Sequence, residues 1–440
     1  MFGTSGIRGP IGETITPRLA LRLGRALGAD AERVVVGRDV RDSGRMLEHA
    51  LVAGLQSSGC AVVRVGIEST PTIARGVPWL AADYGVVITG SHNPASDNGF
   101  KFWNQYGRAF TREQYRRVIR RATAGTTPSA AADDIGSTQR VESLSDRHGR
   151  HLCSTFQSLK GLDVVVDLGN GAGQLTGTVL DRLGCTVTTL NSRRDGQFPS
   201  RQSEPTAGAC QQLSAAVRDQ NAALGLAHDA DADRLLAVDE TGRFVPGDEL
   251  FALFAAQAAA TGSQVAITVD TSSLVEDVVT DAGSDVVRTA VGDIFVADAL
   301  AAPAVGFGGE PSGMWIWEHE ARCPDAHFAA CKLVELIESG GTLSSQLAGY
   351  ADQYVTSRGC LDVSAKYDTI DRIRSRVAGQ YDRVDTTDGI RVETDSGWFL
   401  IRASGTEPVI RVTAESETES RTTQLFEAAK HHVEPAVLSV

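Results

Sequence analysis

The sequence predicts an α/β protein whose mixed or parallel sheets are layered by helices. Short apolar runs of strand length alternate with longer segments of helical period from about residue 34 onward, which is the pattern of β/α units. Glycine, proline, asparagine and aspartate punctuate the runs and turn the chain between them. Strand after strand ends in a polar loop, the position where open α/β sheets carry their ligands. At roughly 100–200 residues per domain, 440 residues accommodate about two to four domains.

Taken in order, residues 1–8 are a turn-rich start. Val34-Val35-Val36 is a strand running into Gly37-Arg38-Asp39, and Ser43 is placed to cap a helix that reaches about residue 58. Strands follow at 61–65 and 84–88, with a return strand at 100–102. Thr111 and Gln114 form a capping box for a helix over 111–122. Residues 123–138 are poor in large apolar groups and read as a linker. A second block has a strand at 162–166, a glycine-rich loop at 167–173, a helix to residue 183, and strands at 222–227 and 235–238. The third alternates helices at 248–260, 273–282 and 293–301 with strands at 264–269, 285–288 and 304–307. The last has strands near 390–394, 398–402 and 409–414 and a closing helix at 418–432. The expected domains are 1–135, 136–242 and 243–352, three α/β blocks of similar pattern, and a smaller α+β block at 353–440. The similarity is of pattern only, so an internal repeat is no more than suspected.

A content of 42% hydrophobic and 22% charged residues is that of an ordinary globular chain. The net charge of -13 argues against a nucleic-acid partner. An anionic ligand would have to be held by local arginines and helix N-termini. Cysteines 60, 153, 185, 210, 323, 331 and 360 are scattered without a CxxC pair, so buried free thiols are expected rather than disulfides or metal ligands. There is no secretory leader and no apolar run of about 18 residues. A cytoplasmic protein without a membrane partner is the expectation.

Four loops and the N-terminus carry chemistry. Thr89-Gly90-Ser91-His92-Asn93-Pro94 holds a serine where the 84–88 strand must turn; alone it is an ordinary polar turn. Asp229-Ala230-Asp231-Ala232-Asp233-Arg234 spaces three carboxylates at i, i+2 and i+4. They can converge on one hard cation, Mg²⁺ or Ca²⁺ by their all-oxygen character, or form a solvated acidic turn. An EF-hand is excluded, because Arg234 stands where the loop needs glycine and a strand follows. Gly308-Gly309-Glu310-Pro311-Ser312-Gly313 offers an acceptor and a hydroxyl suited to vicinal sugar hydroxyls. Arg402-Ala403-Ser404-Gly405-Thr406-Glu407-Pro408 gathers a guanidinium, two hydroxyls and turn amides, a composition that suits phosphate. Gly169-x-Gly171 invites a dinucleotide reading, but Gln174 occupies the position of the third glycine, and that reading is set aside.

The serine loop and its continuation, ASDNGFKFW from Ala95 to Trp103, resemble the active-serine loop of the α-D-phosphohexomutase family, which interconverts hexose 1- and 6-phosphates. The matches extend from Phe2 to Arg411. The resemblance implies four domains around a central cleft and a phosphoryl group carried on Ser91. It implies one Mg²⁺ per chain, held by Asp229, Asp231, Asp233 and the phosphate on Ser91; Ala230 stands where relatives have Pro or Gly. Glu310, Ser312 and Arg234 carry over as sugar ligands, and Arg402, Ser404, Gly405 and Thr406 as the distal phosphate site, with Arg411 assisting. The N-terminal FGTSGIRG brings Arg8 beside the serine. A bisphosphorylated hexose would be both intermediate and activator, turning end for end between two transfers. Many relatives have a histidine where Met314 stands, which leaves Lys101 as the favoured base and His92 as support for the phosphate. Sugar phosphates are the expected partners, and the chain a monomer or homodimer.

Thr289-Ala290-Val291-Gly292-Asp293 resembles the VGD loop of the family's glucosamine branch and of many archaeal relatives. Asp293 adds negative charge, and the His and Lys of many glucose/mannose enzymes are missing; both changes favour an amino sugar. Against this, FPSRQSEPT looks more like archaeal and phosphomannomutase versions, GEPSG lacks the Gln of bacterial glucosamine enzymes, and Asp293 could cap a helix. Glucosamine phosphate is the expected substrate, with glucose or mannose phosphate as the alternative. The rivals are a sugar phosphatase, which would release phosphate where a mutase retains it, and a sugar-phosphate-binding protein with a dead site.

Overall fold

The computed structural model describes residues 6–437 apart from 126, 128, 160, 364, 378 and 406–408. It falls into two compact units. One runs to Pro246 and includes Ser312–Gln346; the other joins Gly247–Pro311 to the residues from Leu347 on.

The first unit holds two sheets. The six-stranded one has the order Ile7–Pro10, Asp97–Asn104, Tyr84–Ile88, Arg33–Arg38, Ala61–Ile67, Thr138–Arg140. Tyr84–Ile88 and Ala61–Ile67 flank Arg33–Arg38 in parallel, while Asp97–Asn104 returns antiparallel to Tyr84–Ile88, so the sheet is mixed. The run Val34-Val35-Val36 is apolar throughout because both faces are covered. Val34 and Val36 pack with Leu23, Leu27, Leu47 and Leu51, and Val35 packs on the other side with Ile73, Val77 and Trp103. The five-stranded sheet has the order Phe244–Val245, Leu235–Asp239, Leu224–His228, Asp163–Asp167, Thr186–Leu190.

In the second unit Gln264–Thr268 pairs in parallel with Val286–Thr289 and Val305–Glu310. An antiparallel sheet of Val355–Asp362, Val409–Ser416, Gly397–Ala403, Ile390–Thr394 and Arg383–Asp385 packs against Lys366–Val377 and Glu419–Val437. These elements match an α/β architecture with mixed sheets and an α+β C-terminal part.

Some local expectations change. The turn-rich start contains the strand Ile7–Pro10, paired with Asp97–Asn104. Ser43 precedes its helix without a side-chain cap bond; its hydroxyl instead accepts from the Asn98 amide at 2.9 Å. The capping box at Thr111 and Gln114 is present. Thr138–Arg140, at the end of the expected linker, pairs with Ala61–Ile67. Helices Pro17–Gly28, Thr70–Trp79, Leu144–Thr155, Gln211–Gln220 and Ala326–Gly340 were not anticipated. All seven cysteines are free, but Cys360 is exposed and Cys153 half-buried, so the expectation of buried thiols fails at these two. Among the described residues no helix is long and apolar enough to cross a membrane.

Candidate active site

The strand Tyr84–Ile88 delivers Ser91 into a left-handed backbone conformation, φ 48°, which non-glycine residues adopt only when their surroundings enforce it. The enforcing residue is Arg41, buried and unforeseen. Its Nη2 donates to the carbonyls of Ser91 at 2.7 Å and Asn93 at 2.6 Å, and its Nη1 to those of Pro94 and Asp97. Its Nε pairs with Asp39 at 3.1 Å, and Asp39 also accepts from the Thr89 hydroxyl. A Cβ on Gly90 would lie 2.7 Å from the Arg41 guanidinium carbon, so glycine is needed there for the close approach.

Ser91 Oγ donates to Asp229 Oδ2 at 2.9 Å. Asp229 follows the strand Leu224–His228, and Asp229, Asp231 and Asp233 bring one oxygen each within 4.8 Å of one another. Lys101, opposite Val87 in its strand pair, places its ammonium 2.7 Å from Asp231 and against Asp233. Arg8 stands opposite Gly99, two residues before Lys101, so Arg8 and Lys101 share a sheet face. The buried Arg8 Nε has no hydrogen-bond partner among the described residues. Burial disfavours the Lys101 ammonium, but Asp231 and Asp233 outweigh it and raise its pKa. Burial, then Arg234, Arg8 and Lys101, push His92 well below the ordinary histidine value.

These residues fit a divalent cation. Burial, then the charges of Asp231 and Asp233, push Asp229 well above the carboxylate range. Asp231 is also buried, yet Lys101 and the Thr70 hydroxyl hold it below that range. Of three buried carboxylates only Asp231 and Asp233 pair with the Lys101 ammonium, and the buried Asp231 Oδ1 has no hydrogen-bond partner among the described residues. A second positive charge would relieve that imbalance.

The glycine-rich loop set aside as a nucleotide site backs the aspartate loop. The Ala172 amide donates to the Ala230 carbonyl at 2.9 Å. A Cβ on Gly171 would meet that carbonyl at 2.6 Å. Arg234 pairs with Glu204 at 3.3 Å, and its backbone bridges Met314. The Leu235 amide donates to the Gly313 carbonyl at 2.9 Å, so the Ser312-Gly313-Met314 segment adjoins the end of the aspartate loop.

In the second unit, Glu310 ends its strand and accepts the Gly292 amide at 2.6 Å. Asp293 begins the next helix and is buried. Arg402 and Arg411 are direct cross-strand partners. Like charges so placed repel, and an anion between them would offset the cost. Arg402 meets Asp388 at 3.4 Å, and Ser404 is buried with its amide on the Val409 carbonyl. Gly405 is half-buried; Thr406 lies outside the described residues.

With this geometry in view, the chain was compared with known proteins. Its residues 1–129, 146–242 and 246–354 match the models of phosphoglucomutase/phosphomannomutase alpha/beta/alpha domains I, II and III, and 361–432 the C-terminal domain. A probable phosphoglucosamine mutase of Methanococcoides burtonii is 41% identical over 444 residues, covering 99% of each chain. One from Methanopyrus kandleri is 41% identical over 96% of this chain and 95% of its own. The crystal structure of a phosphoglucomutase/phosphomannomutase family protein from Burkholderia thailandensis superposes with a TM-score of 0.88 at 28% identity, over 99% of this chain and 97% of that one. Sequence models for all four domains thus agree with the folds and with the loops they carry: the chain belongs to the phosphoglucomutase/phosphomannomutase family and is a phosphohexomutase.

Proposed function

We propose that this phosphohexomutase converts glucosamine 6-phosphate to glucosamine 1-phosphate through a phosphoserine at Ser91 and a bisphosphorylated sugar. The observation that carries the reaction is the buried Ser91 hydroxyl, 2.9 Å from Asp229. It faces a carboxylate cluster and shares its surroundings with Lys101 and Arg8. In the working enzyme Asp229, Asp231 and Asp233, with the seryl phosphate, hold Mg²⁺, whose charge offsets that of the transferring phosphoryl group.

Arg402, Ser404, Gly405, Thr406 and Arg411 bind the phosphate already on the sugar. Glu310, Ser312 and Arg234 bind and orient the ring. The free sugar hydroxyl attacks phosphorus, the bond from phosphorus to Ser91 Oγ breaks, the Lys101 ammonium gives a proton to Ser91 Oγ, and the amine so formed takes the proton that the attacking hydroxyl loses. Lys101 serves that exchange. His92, neutral by its surroundings, supports the phosphate through its Nδ1, which is buried without a partner among the described residues. Arg8 offsets phosphate charge. The bisphosphate turns end for end and returns its other phosphate to Ser91. Positioning and charge neutralisation supply most of the rate.

The amino sugar is supported by the relatives' shared description as probable phosphoglucosamine mutases. It is also supported by the acidic lining of the sugar loops: Asp388 accepts the Val291 amide at 3.1 Å, and Asp293 and Glu310 lie within two residues of Val291 or on Gly292. Such carboxylates favour an ammonium at carbon 2 over a hydroxyl. The test compares kcat/KM for glucosamine 1-phosphate, glucose 1-phosphate and mannose 1-phosphate. A preference of about tenfold or more for a neutral sugar, about 1.4 kcal/mol in transition-state binding, overturns the glucosamine assignment. Net release of phosphate instead of isomerised sugar would mean a phosphatase.

A further inference from the structure

Beneath the aspartate loop runs a chain of buried side chains to which no role has been given. His228 Nδ1 lies 3.1 Å from the Arg234 carbonyl. A carbonyl only accepts, so this nitrogen carries the ring proton. His228 Nε2 is then an acceptor, and the Thr176 hydroxyl donates to it at 2.7 Å. Having given its proton there, Thr176 accepts from His327 Nδ1 at 2.7 Å. That leaves His327 Nε2 to accept from the Ser69 hydroxyl at 2.9 Å. The next residue, Thr70, donates its hydroxyl to Asp231 Oδ2 at 2.6 Å and its amide to the Asp231 carbonyl at 2.8 Å.

The chain leaves the aspartate loop at Arg234 and returns to it at Asp231. One carbonyl sets the direction of every side-chain hydrogen bond between His228 and Ser69. His228, Thr176 and His327 are fully buried. Burial pushes His327 well below the ordinary histidine value, in keeping with a neutral ring. Thr176 comes from the helix Gln174–Leu183, Ser69 and Thr70 from the start of Thr70–Trp79, and His327 from the start of Ala326–Gly340. Three helix N-termini are thus tied to one loop.

We propose that Thr176 is a positioning residue for the aspartate loop, the hub of a closed ring of His228, Thr176, His327, Ser69 and Thr70 that sets where the three carboxylates point. This rests on the reading of Asp229, Asp231 and Asp233 as metal ligands. Without the hydroxyl, two buried ring nitrogens lose their shared partner, and the proton order that begins at Arg234 is broken at its centre. The carboxylates would then no longer be aimed at a common point. Groups behind metal ligands usually set affinity by about 10–100-fold.

The test uses Mn²⁺ as the probe and reads free Mn²⁺ by electron paramagnetic resonance. Thr176→Val keeps the side-chain shape and removes the hydroxyl. It is expected to weaken Mn²⁺ binding by about 10–100-fold and to lower kcat, with KM for the hexose phosphate nearly unchanged. Thr176→Ser, which keeps the hydroxyl, restores both. Wild-type Mn²⁺ affinity in Thr176→Val, alongside loss of binding in Asp231→Asn, overturns the positioning role and leaves the metal site standing. Wild-type affinity in Asp231→Asn removes the metal reading itself, and the proposal with it. Should Thr176→Val not fold, Thr70→Val interrupts the same ring at its other end: the same loss of Mn²⁺ binding is expected, and unchanged binding overturns the role.

Discussion

The serine and aspartate loops of the first unit and the sugar and phosphate loops of the second use their charged groups differently. In the first, Arg41 holds the backbone of the serine loop, but around the carboxylates side chain answers side chain. Lys101 lies between Asp231 and Asp233, Ser91 donates to Asp229, and Thr70 donates to Asp231. In the second, carboxylates hold the backbone: Glu310 takes the Gly292 amide and Asp388 the Val291 amide, while Lys366 donates to the Ser404 carbonyl. On the proposed mechanism the first arrangement would balance charge during phosphoryl transfer, and the second would shape loops for recognition. Substitutions in the first should therefore abolish turnover or stability, and those in the second should change affinity.

The largest effect is expected from Ser91→Ala. The fold should persist while steady-state mutase turnover falls by several orders of magnitude, because the phosphoryl carrier is gone. Intact mass should show no phosphate adduct. Turnover near that of the parent would remove Ser91 from the reaction.

Next comes Arg41→Leu, which leaves Asp39 buried without its cation and the serine-loop carbonyls without their donor. Breaking a buried pair by removing one partner costs about 3–5 kcal/mol. Urea denaturation should show that loss, and mutase activity should fall with it. A variant as stable as the parent would mean the serine loop holds its conformation unaided.

Arg402→Ala probes the other side of the comparison. Loss of a charge-assisted phosphate contact costs about 1.5–3 kcal/mol and should appear mainly in KM. Unchanged KM and kcat/KM would exclude this loop from phosphate recognition.

The smallest effect concerns Glu68, a buried carboxylate of the first unit that is hydrogen-bonded by Ser145. Burial pushes its pKa from 4.5 to about 7, and hydrogen bonds from Ser145 and the charge of Arg194 offset only part of that. The folded state therefore favours the protonated form. Its contribution to stability is full below pH 4.5 and is lost as pH rises through about 7. Glu68→Gln should be nearly neutral in Tm at pH 4.5 and stabilising by about 1–3 kcal/mol at pH 8.5. A Tm difference independent of pH would show that Glu68 titrates alike in the folded and unfolded states and that burial does not raise its pKa.

Most of the strands were legible in the sequence because their apolar runs are short and bounded by turn residues. The helix over 111–122 was legible because Thr111 and Gln114 cap it with their own side chains. The helix Pro17–Gly28 carries an equally local signal, Thr16 capping the Leu19 amide with proline following, which the reading by strands passed over. Ala326–Gly340 starts from Asp325 within a run so small and apolar that period alone does not separate helix from buried strand. The three aspartates stood out because their spacing within one loop already suits a hard cation, whereas Ser91 and Lys101 stood out only through the resemblance of the stretch from Thr89 to Trp103 to a known active-serine loop.

By itself, then, the sequence determined the order of the α/β blocks, the loops at the strand ends and the chemical class of each loop, because all of these depend on residues close together in the chain. Only the tertiary structure decided that Arg41 would grip the serine loop across about fifty residues, that Gly171 would lie against Ala230, and that Thr176, His327 and Thr70 would meet behind Asp231. The physical reason is burial. A buried polar group must find a partner, and which partner it finds depends on which elements pack together, information that no single stretch of the chain contains.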